Sequence, residues 1–257
     1  MPDQLVLTER VGGIVIITLD SPHNRNALSQ GLLAQLRQAL EDAIGDSAAR
    51  LLKLTNTGAT FCSGADLKEQ ASRFQKGGAS PGAGGLVPIL KLMLDSPKPI
   101  LCRIDGAVRG GGMGLVAASD VVVSSELSTF GFSEVRLGVA PAVISVPVLR
   151  KLSRAAALEL FLTGRVFTAS EAVAYGLVNR VAGVDLDVVV EELEAQLLEA
   201  APGALGEAKR LVSRVPQLDR DTAFDEMVEL SARLFSSPEG QEGMAAFAER
   251  RPANWKS

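Results

Sequence analysis

The stretch that most constrains this chain is Lys98 to Asp120, KPILCRIDGAVRGGGMGLVAASD. A short apolar run, Pro99 to Ile104, meets a turn at Asp105-Gly106, and three consecutive glycines, Gly110 to Gly112, precede an apolar, small-residue segment of helical length. The order is strand, turn, helix start. Glycine lets a backbone approach a ligand closely, and the first N–H groups of a helix lack intrahelical acceptors, so an electron-rich oxygen fits there. A tight packing turn between strand and helix satisfies the same pattern, and the triplet by itself leaves both readings open.

With 257 residues, 47% hydrophobic and 22% charged, the chain can bury a sizeable core as one large domain or one domain with an appendage. The net charge of -4 and the lack of a basic block interleaved with aromatics argue against a nucleic-acid binder. Apolar runs end short of the roughly 18 to 20 residues that a membrane span needs. The beginning, MPDQLVLTERVGG, has acidic residues and no basic leader region, so no signal peptide is expected and the cytoplasm is the expected compartment. Cys62 and Cys102 have no C-x-x-C or Cys/His spacing, which favours reduced thiols over a disulfide framework or a metal site.

Taken in order, Leu5 to Glu9 and Gly13 to Leu19 read as a hairpin, and DSPHNRNALS as a loop. Ser29 is a good N-cap, and Leu32, Leu33, Leu36, Leu40 and Ile44 recur at helical spacing, predicting a helix over 29–44. Leu51 to Thr55 is a buried strand, so the alternation predicts a layered α/β domain with crossover connections. Asn56 to Glu69, NTGATFCSGADLKE, repeats the pattern of strand, loop and helix start, with the helix expected from Ala65. Two such helix N-termini, at Gly64-Ala65 and Gly110 to Gly112, could each aim a backbone N–H at one atom, as an oxyanion hole does.

Five segments, HNRNALS (23–29), FCSGADLKE (61–69), DGAVRGGGMGLVAASD (105–120), FGFSEVRLGVAP (130–141) and LTGRVFTASEAVAYGLVNRV (162–181), together resemble the enoyl-CoA hydratase/isomerase, or crotonase, superfamily in order and spacing. The resemblance covers nearly the whole chain. It implies a spiral of β-β-α units over about 1–195 and a C-terminal helical region, 196–257, that packs in a trimer or dimer of trimers. The helical patterns of Leu186 to Ala200, Pro202 to Val215, Asp221 to Phe235 and Pro238 to Arg250 agree with such an ending.

The resemblance also implies an acyl-CoA thioester whose carbonyl oxygen is held by two backbone N–H groups, here those of Ala65 and Gly111. It places coenzyme A against Arg25, Ala27, Leu28, Ala65, Asp66 and Leu67, with the coenzyme arriving on the substrate and no separate cofactor. The family's hydratases add two glutamates; this chain has Gly114 at the first place and Glu134 at the second. Glu134 is thus the implied base, although a lone loop glutamate would otherwise be a solvated carboxylate. Phe130, Phe132, Val135, Leu137 and Val139 are expected to raise its pKa by disfavouring the charge.

The remaining residues are weighed on their own chemistry. His23 is the only histidine and has no supporting motif for a triad with Cys62 or Ser63. Cys62 reads as a buried, inert thiol beside the hole. Arg109 would meet a substrate anion or form a surface salt bridge, and GGGMG lacks the G-x-G-x-x-G spacing of a dinucleotide loop. Lys76 to Leu86 is expected to be a mobile connection bordering the acyl pocket, an interdomain linker being the alternative. The expected activity is enoyl-CoA hydration; the alternatives are Δ3,Δ2-enoyl-CoA isomerisation, a methylglutaconyl-CoA-type hydration, and CoA-ester binding without turnover. A Gly114→Glu replacement is expected to restore a two-glutamate site if the pocket has room.

Overall fold

The computed structural model describes residues 3–75, 84–183 and 185–256. Strands β1 (Val6–Val11) and β2 (Ile14–Leu19) form the antiparallel hairpin, and β2 leads through a 3-10 turn to α1 (Gln30–Gly45). Ser29 caps α1 by accepting the Leu32 N–H at 3.2 Å. The helical spacing of Leu32, Leu36 and Leu40 places all three at zero exposure against the sheet.

After β3 (Leu51–Asn56), the chain repeats one manoeuvre, placing a strand in one sheet, a short strand in a second and then a helix. The first turn is β3, β4 (Thr60–Cys62), α2 (Leu67–Gln75) and α3 (Val87–Asp95). The next is β5 (Ile100–Ile104), β6 (Ala107–Arg109) and α4 (Gly111–Ala118); then β7 (Val121–Ser125), β8 (Thr129–Gly131), α5 (Ala142–Val148) and α6 (Arg154–Thr163). With β9 (Val166–Thr168), α7 (Ala169–Ala174) and β10 (Arg180–Ala182), these build a six-stranded sheet, β1-β2-β3-β5-β7-β10, and a four-stranded sheet, β4-β6-β8-β9. This is the β-β-α spiral that the family resemblance implies, and it contains the layered α/β arrangement with crossovers expected from the residue patterns. The inserted β4 and β6 escape the sequence reading because three residues are too few to show a period, yet each pairs in parallel with the next turn, Thr60 opposite Ala107 and Val108 opposite Phe130.

Four helices follow: α8 (Leu186–Glu199), α9 (Pro202–Arg214), α10 (Arg220–Ser236) and α11 (Pro238–Glu249). Leu186, Val190 and Leu193 of α8 cover the outer face of the larger sheet at Ile14, Leu51, Leu101 and Val123. Lys53 and Glu194 pair across that contact at 2.7 Å and Arg103 and Asp187 at 2.6 Å. Lys209 of α9 reaches Asp120 at 2.9 Å and the Met93 carbonyl at 2.8 Å. By contrast α10 buries none of its residues and leaves Phe224, Val228 and Phe235 more than 60% exposed. Residues 76–83 of the glycine-rich connection lie outside the described residues; Gly84–Leu86 form a 3-10 turn with Leu86 buried. Among the described residues no helix is long and apolar enough to cross a membrane.

Gly106 is the corner at which the chain leaves one sheet for the other. Its φ is +101°, and a Cβ there would lie 2.1 Å from the Ala59 carbonyl oxygen. Gly106→Ala is therefore expected to cost about 3 kcal/mol or more, read as a lowered urea midpoint with an unchanged slope.

Candidate active site

The first element of the site is the loop after β4. Asp66 Oδ1 accepts the N–H groups of Lys68 and Glu69 at 3.1 and 3.0 Å, so α2 starts at Leu67 and not at Ala65 as the residue pattern suggests. Ala65 instead forms an extended parallel bridge with Leu28, whose N–H donates to the Gly64 carbonyl at 2.8 Å. Among the described residues no acceptor takes the Ala65 N–H.

The second element is the loop from β6 to α4. Gly110 turns the chain at φ +49°, and α4 begins with Gly111, whose N–H has no intrahelical acceptor. The two loops meet backbone to backbone: a Cβ on Gly64 would lie 3.3 Å from both the Arg109 oxygen and Gly110 Cα. Each contacting glycine directly precedes one of the two expected donors, Ala65 and Gly111.

Glu134 supplies the third element, on the 3-10 turn Ser133–Leu137 after β8. Its Oε1 lies 3.7 Å from where a Cβ on Gly110 would stand, which brings the carboxylate to the junction of the two loops. Its Oε2 is buried without a hydrogen-bond partner among the described residues. Burial pushes the Glu134 pKa above the usual carboxylate value, opposed in part by a hydrogen bond from backbone. The apolar surroundings differ from those expected: Phe130 and Phe132 are fully buried, whereas Leu137 and Val139 are each 58% exposed because the turn carries them outward.

The residues expected to hold coenzyme A come together on one rim. Ser63 donates to the Arg25 carbonyl at 3.1 Å, and the bridge from Leu28 to Ala65 joins the two segments. Arg25, Ala65 and Leu67 are exposed, Asp66 is half-buried, and Ala27 and Leu28 are buried. The residue that shapes this rim, Asn26, was missed by the sequence reading. Wholly buried at φ +52°, it accepts from Ser21 N–H at 2.7 Å and donates to the carbonyls of Thr57 and Thr60 at 3.0 and 2.8 Å. The signal was available, since asparagine tolerates the left-handed region and satisfies backbone groups in turns.

Two expectations are corrected. Arg109 forms no salt bridge among the described residues; its guanidinium donates to the carbonyls of Val108 and Thr129 and to Thr129 Oγ1, at 2.7 to 2.9 Å. It fastens β6 to β8. Gly114 has no room for a glutamate, because a Cβ there would lie 2.7 Å from Cγ2 of Ile144 and 3.5 Å from Cδ2 of Leu90.

Among the described residues no triad is assembled. His23 is exposed, while Cys62 is wholly buried and its thiol is pushed up to about 12 by burial. Among the described residues no cluster of His, Cys, Asp or Glu could hold a metal ion. The arrangement thus offers two main-chain donors and one carboxylate of raised pKa, a set suited to stabilising an enolate and moving a proton beside it.

Comparison with known proteins defines the class. The sequence profile of the enoyl-CoA hydratase/isomerase family matches residues 9–257, and the chain belongs to that family. It is 33% identical over 260 residues to a protein named probable enoyl-CoA hydratase from Rhizobium meliloti, covering 100% of this chain and 99% of that one. It is 31% identical over 265 residues to the carnitinyl-CoA dehydratase of Proteus mirabilis, again covering 100% and 99%. The crystal structure of an enoyl-CoA hydratase/isomerase from Marinobacter aquaeolei superposes with a TM-score of 0.92 at 30% identity, covering 98% of this chain and 99% of that one.

The plug at Gly114 is testable without a substrate. Gly114→Glu alone is expected to lower the thermal midpoint by several degrees or more, and adding Ile144→Ala is expected to recover much of the loss, as read by circular dichroism.

Proposed function

We propose that this protein is an enoyl-CoA hydratase that works with one carboxylate. The observation that carries this reading is Glu134, whose buried Oε2 has no partner among the described residues and whose Oε1 faces Gly110, beside both free main-chain donors. In the proposed reaction, the Ala65 and Gly111 N–H groups hold the thioester oxygen. Glu134 accepts a proton from water as the water oxygen bonds to Cβ, and the π electrons move to the thioester oxygen as an enolate. The enolate then collapses and takes the proton from Glu134 at Cα. Water is added across the double bond, and the carboxylate is restored. The coenzyme travels on the substrate, so no separate cofactor enters.

The plug of Ile144 and Leu90 at Gly114 favours a second reading, Δ3,Δ2-enoyl-CoA isomerisation, in which Glu134 carries one proton from Cα to Cγ and no water need be ordered by a second carboxylate. A methylglutaconyl-CoA-type hydratase uses the hydration scheme on a carboxylated acyl chain. Product mass separates the two reactions, since hydration adds the mass of water and isomerisation adds nothing. A wild-type protein that binds CoA esters and converts none would leave only the binding role.

Glu134→Gln keeps the shape and removes the base, so turnover is expected to fall by about 10²- to 10⁴-fold with CoA-ester binding within a few-fold. Because burial raises the folded-state pKa, the ionised carboxylate costs stability as pH rises through the unfolded value towards the folded one. The Gln variant is therefore expected to melt higher than wild type at pH 7, the difference closing below about pH 4. In wild type, kcat/KM is expected to fall on acidification at a pH above the ordinary glutamate range. Full turnover in Glu134→Gln would refute the assignment.

We also propose that the chain assembles as a trimer or a dimer of trimers, supported by the uncovered apolar residues of α10 and by Phe247 of α11, 88% exposed. Cutting the chain near residue 184 would also strip α8 from the larger sheet, so surface charges give the cleaner test. Light scattering is expected to show at least three chains for wild type and dissociation for Phe224→Glu combined with Val228→Glu. A stable wild-type monomer at micromolar concentration would refute assembly.

A further inference from the structure

Between the two loops that carry the main-chain donors sits a side chain that the reaction scheme does not use. Cys62 ends β4 with zero exposure, and its Sγ accepts the Gly64 N–H at 3.4 Å. The Gly112 backbone, at the start of α4, packs on the same side chain. The seat is close: a Cβ on Gly112 would lie 2.7 Å from Cys62 Cβ and 3.1 Å from Sγ. One side chain thus holds the first loop by a hydrogen bond and the second by close packing. The neighbouring residues in the chain, Ala65 after Gly64 and Gly111 before Gly112, carry the N–H groups assigned to the substrate oxygen.

We infer that Cys62 is a positioning residue that clamps the two oxyanion loops, accepting the Gly64 N–H of one and packing against Gly112 of the other, and leaving the neighbouring Ala65 and Gly111 N–H groups for the thioester oxygen. This rests on the proposed function for its catalytic consequence, though not for its geometry. A thiol suits the place. Its sulfur is a soft acceptor that costs little to bury, and a group that stays protonated brings no negative charge beside a developing enolate. A carboxylate at this position would instead place a negative charge beside the developing enolate.

The consequence is a specific signature. Losing the clamp leaves substrate contacts intact but loosens the aim of two donors at an atom whose charge develops only in the transition state, so the loss belongs in kcat. Cys62→Ala removes the acceptor, and Cys62→Ser keeps one. In Cys62→Ala, kcat is expected to fall by about 10- to 100-fold with KM within about threefold, and Cys62→Ser is expected to recover most of the rate. Hydrogen exchange read by mass spectrometry on the full ligand-free protein, over peptides covering 61–66 and 110–115, is expected to quicken in both segments for Cys62→Ala and to return towards wild type for Cys62→Ser.

The two arms separate the two claims. If exchange in a folded Cys62→Ala protein stays at the wild-type rate in either segment, the clamp is overturned whatever the kinetics show. If exchange quickens while kcat is unchanged, or if Cys62→Ser loses as much rate as Cys62→Ala, the positioning role is overturned. If wild type converts no 2-enoyl- or 3-enoyl-CoA ester, the proposed function falls. The exchange arm then decides alone whether Cys62 joins the loops.

Discussion

The contact on which the site depends is the approach of Gly64 to Gly110, two backbones so close that a Cβ on either would lie 3.3 Å from the other's Cα. Main-chain donors distant in sequence can converge on one atom only if their loops touch, and loops carrying side chains at the contact would be held apart. The parallel pairing of β4 with β6 delivers both loops to the same edge of the smaller sheet. The turns beyond that edge then place Ala65 and Gly111 beside each other. Catalysis through backbone dipoles needs this rigidity, because donors that must reorganise as charge develops lose most of their effect.

The same sheet carries the carboxylate. Its third strand, β8, leads directly into the turn holding Glu134, so successive strands of one sheet lead to the two proposed donors and the proposed base. Burial raises the pKa of Glu134 and leaves one oxygen without a hydrogen bond among the described residues, a cost to stability that a purely structural position would have no reason to keep. Ile144 and Leu90 fill the neighbouring place on α4. The missing second glutamate is therefore no empty slot; the helix packing has closed it.

Away from the site, charge organises how the helical end meets the spiral. Lys53 with Glu194, Arg103 with Asp187 and Lys209 with Asp120 each join a helix after residue 185 to the layers beneath it. The Arg50 guanidinium gathers the carbonyls of Leu198, Ala200 and Trp255, tying the end of the chain to the connection before β3. These contacts anchor α8, α9 and the terminal turn, while α10 keeps its apolar residues outward.

The sequence by itself determined the elements whose periods run long enough to read: the first hairpin, α1 under its Ser29 cap, β3 and the four terminal helices. It also marked the glycine turns at Gly64-Ala65 and Gly110 to Gly112 as strand, loop and helix start, whereas Glu134 was singled out only by the family resemblance, since a lone loop carboxylate reads locally as a solvated one. The tertiary structure alone decided what depends on neighbours distant in sequence. Strands β4 and β6, each three residues long, exist through pairing and not through pattern. Ala65 became an extended bridge residue because Leu28 lies beside it and Asp66 caps the helix. Arg109 turned to the carbonyls of its own sheet, and Ile144 closed the place at Gly114. No spacing along the chain encodes these outcomes, since each is settled by which atoms happen to fill the next few ångströms once the layers have packed.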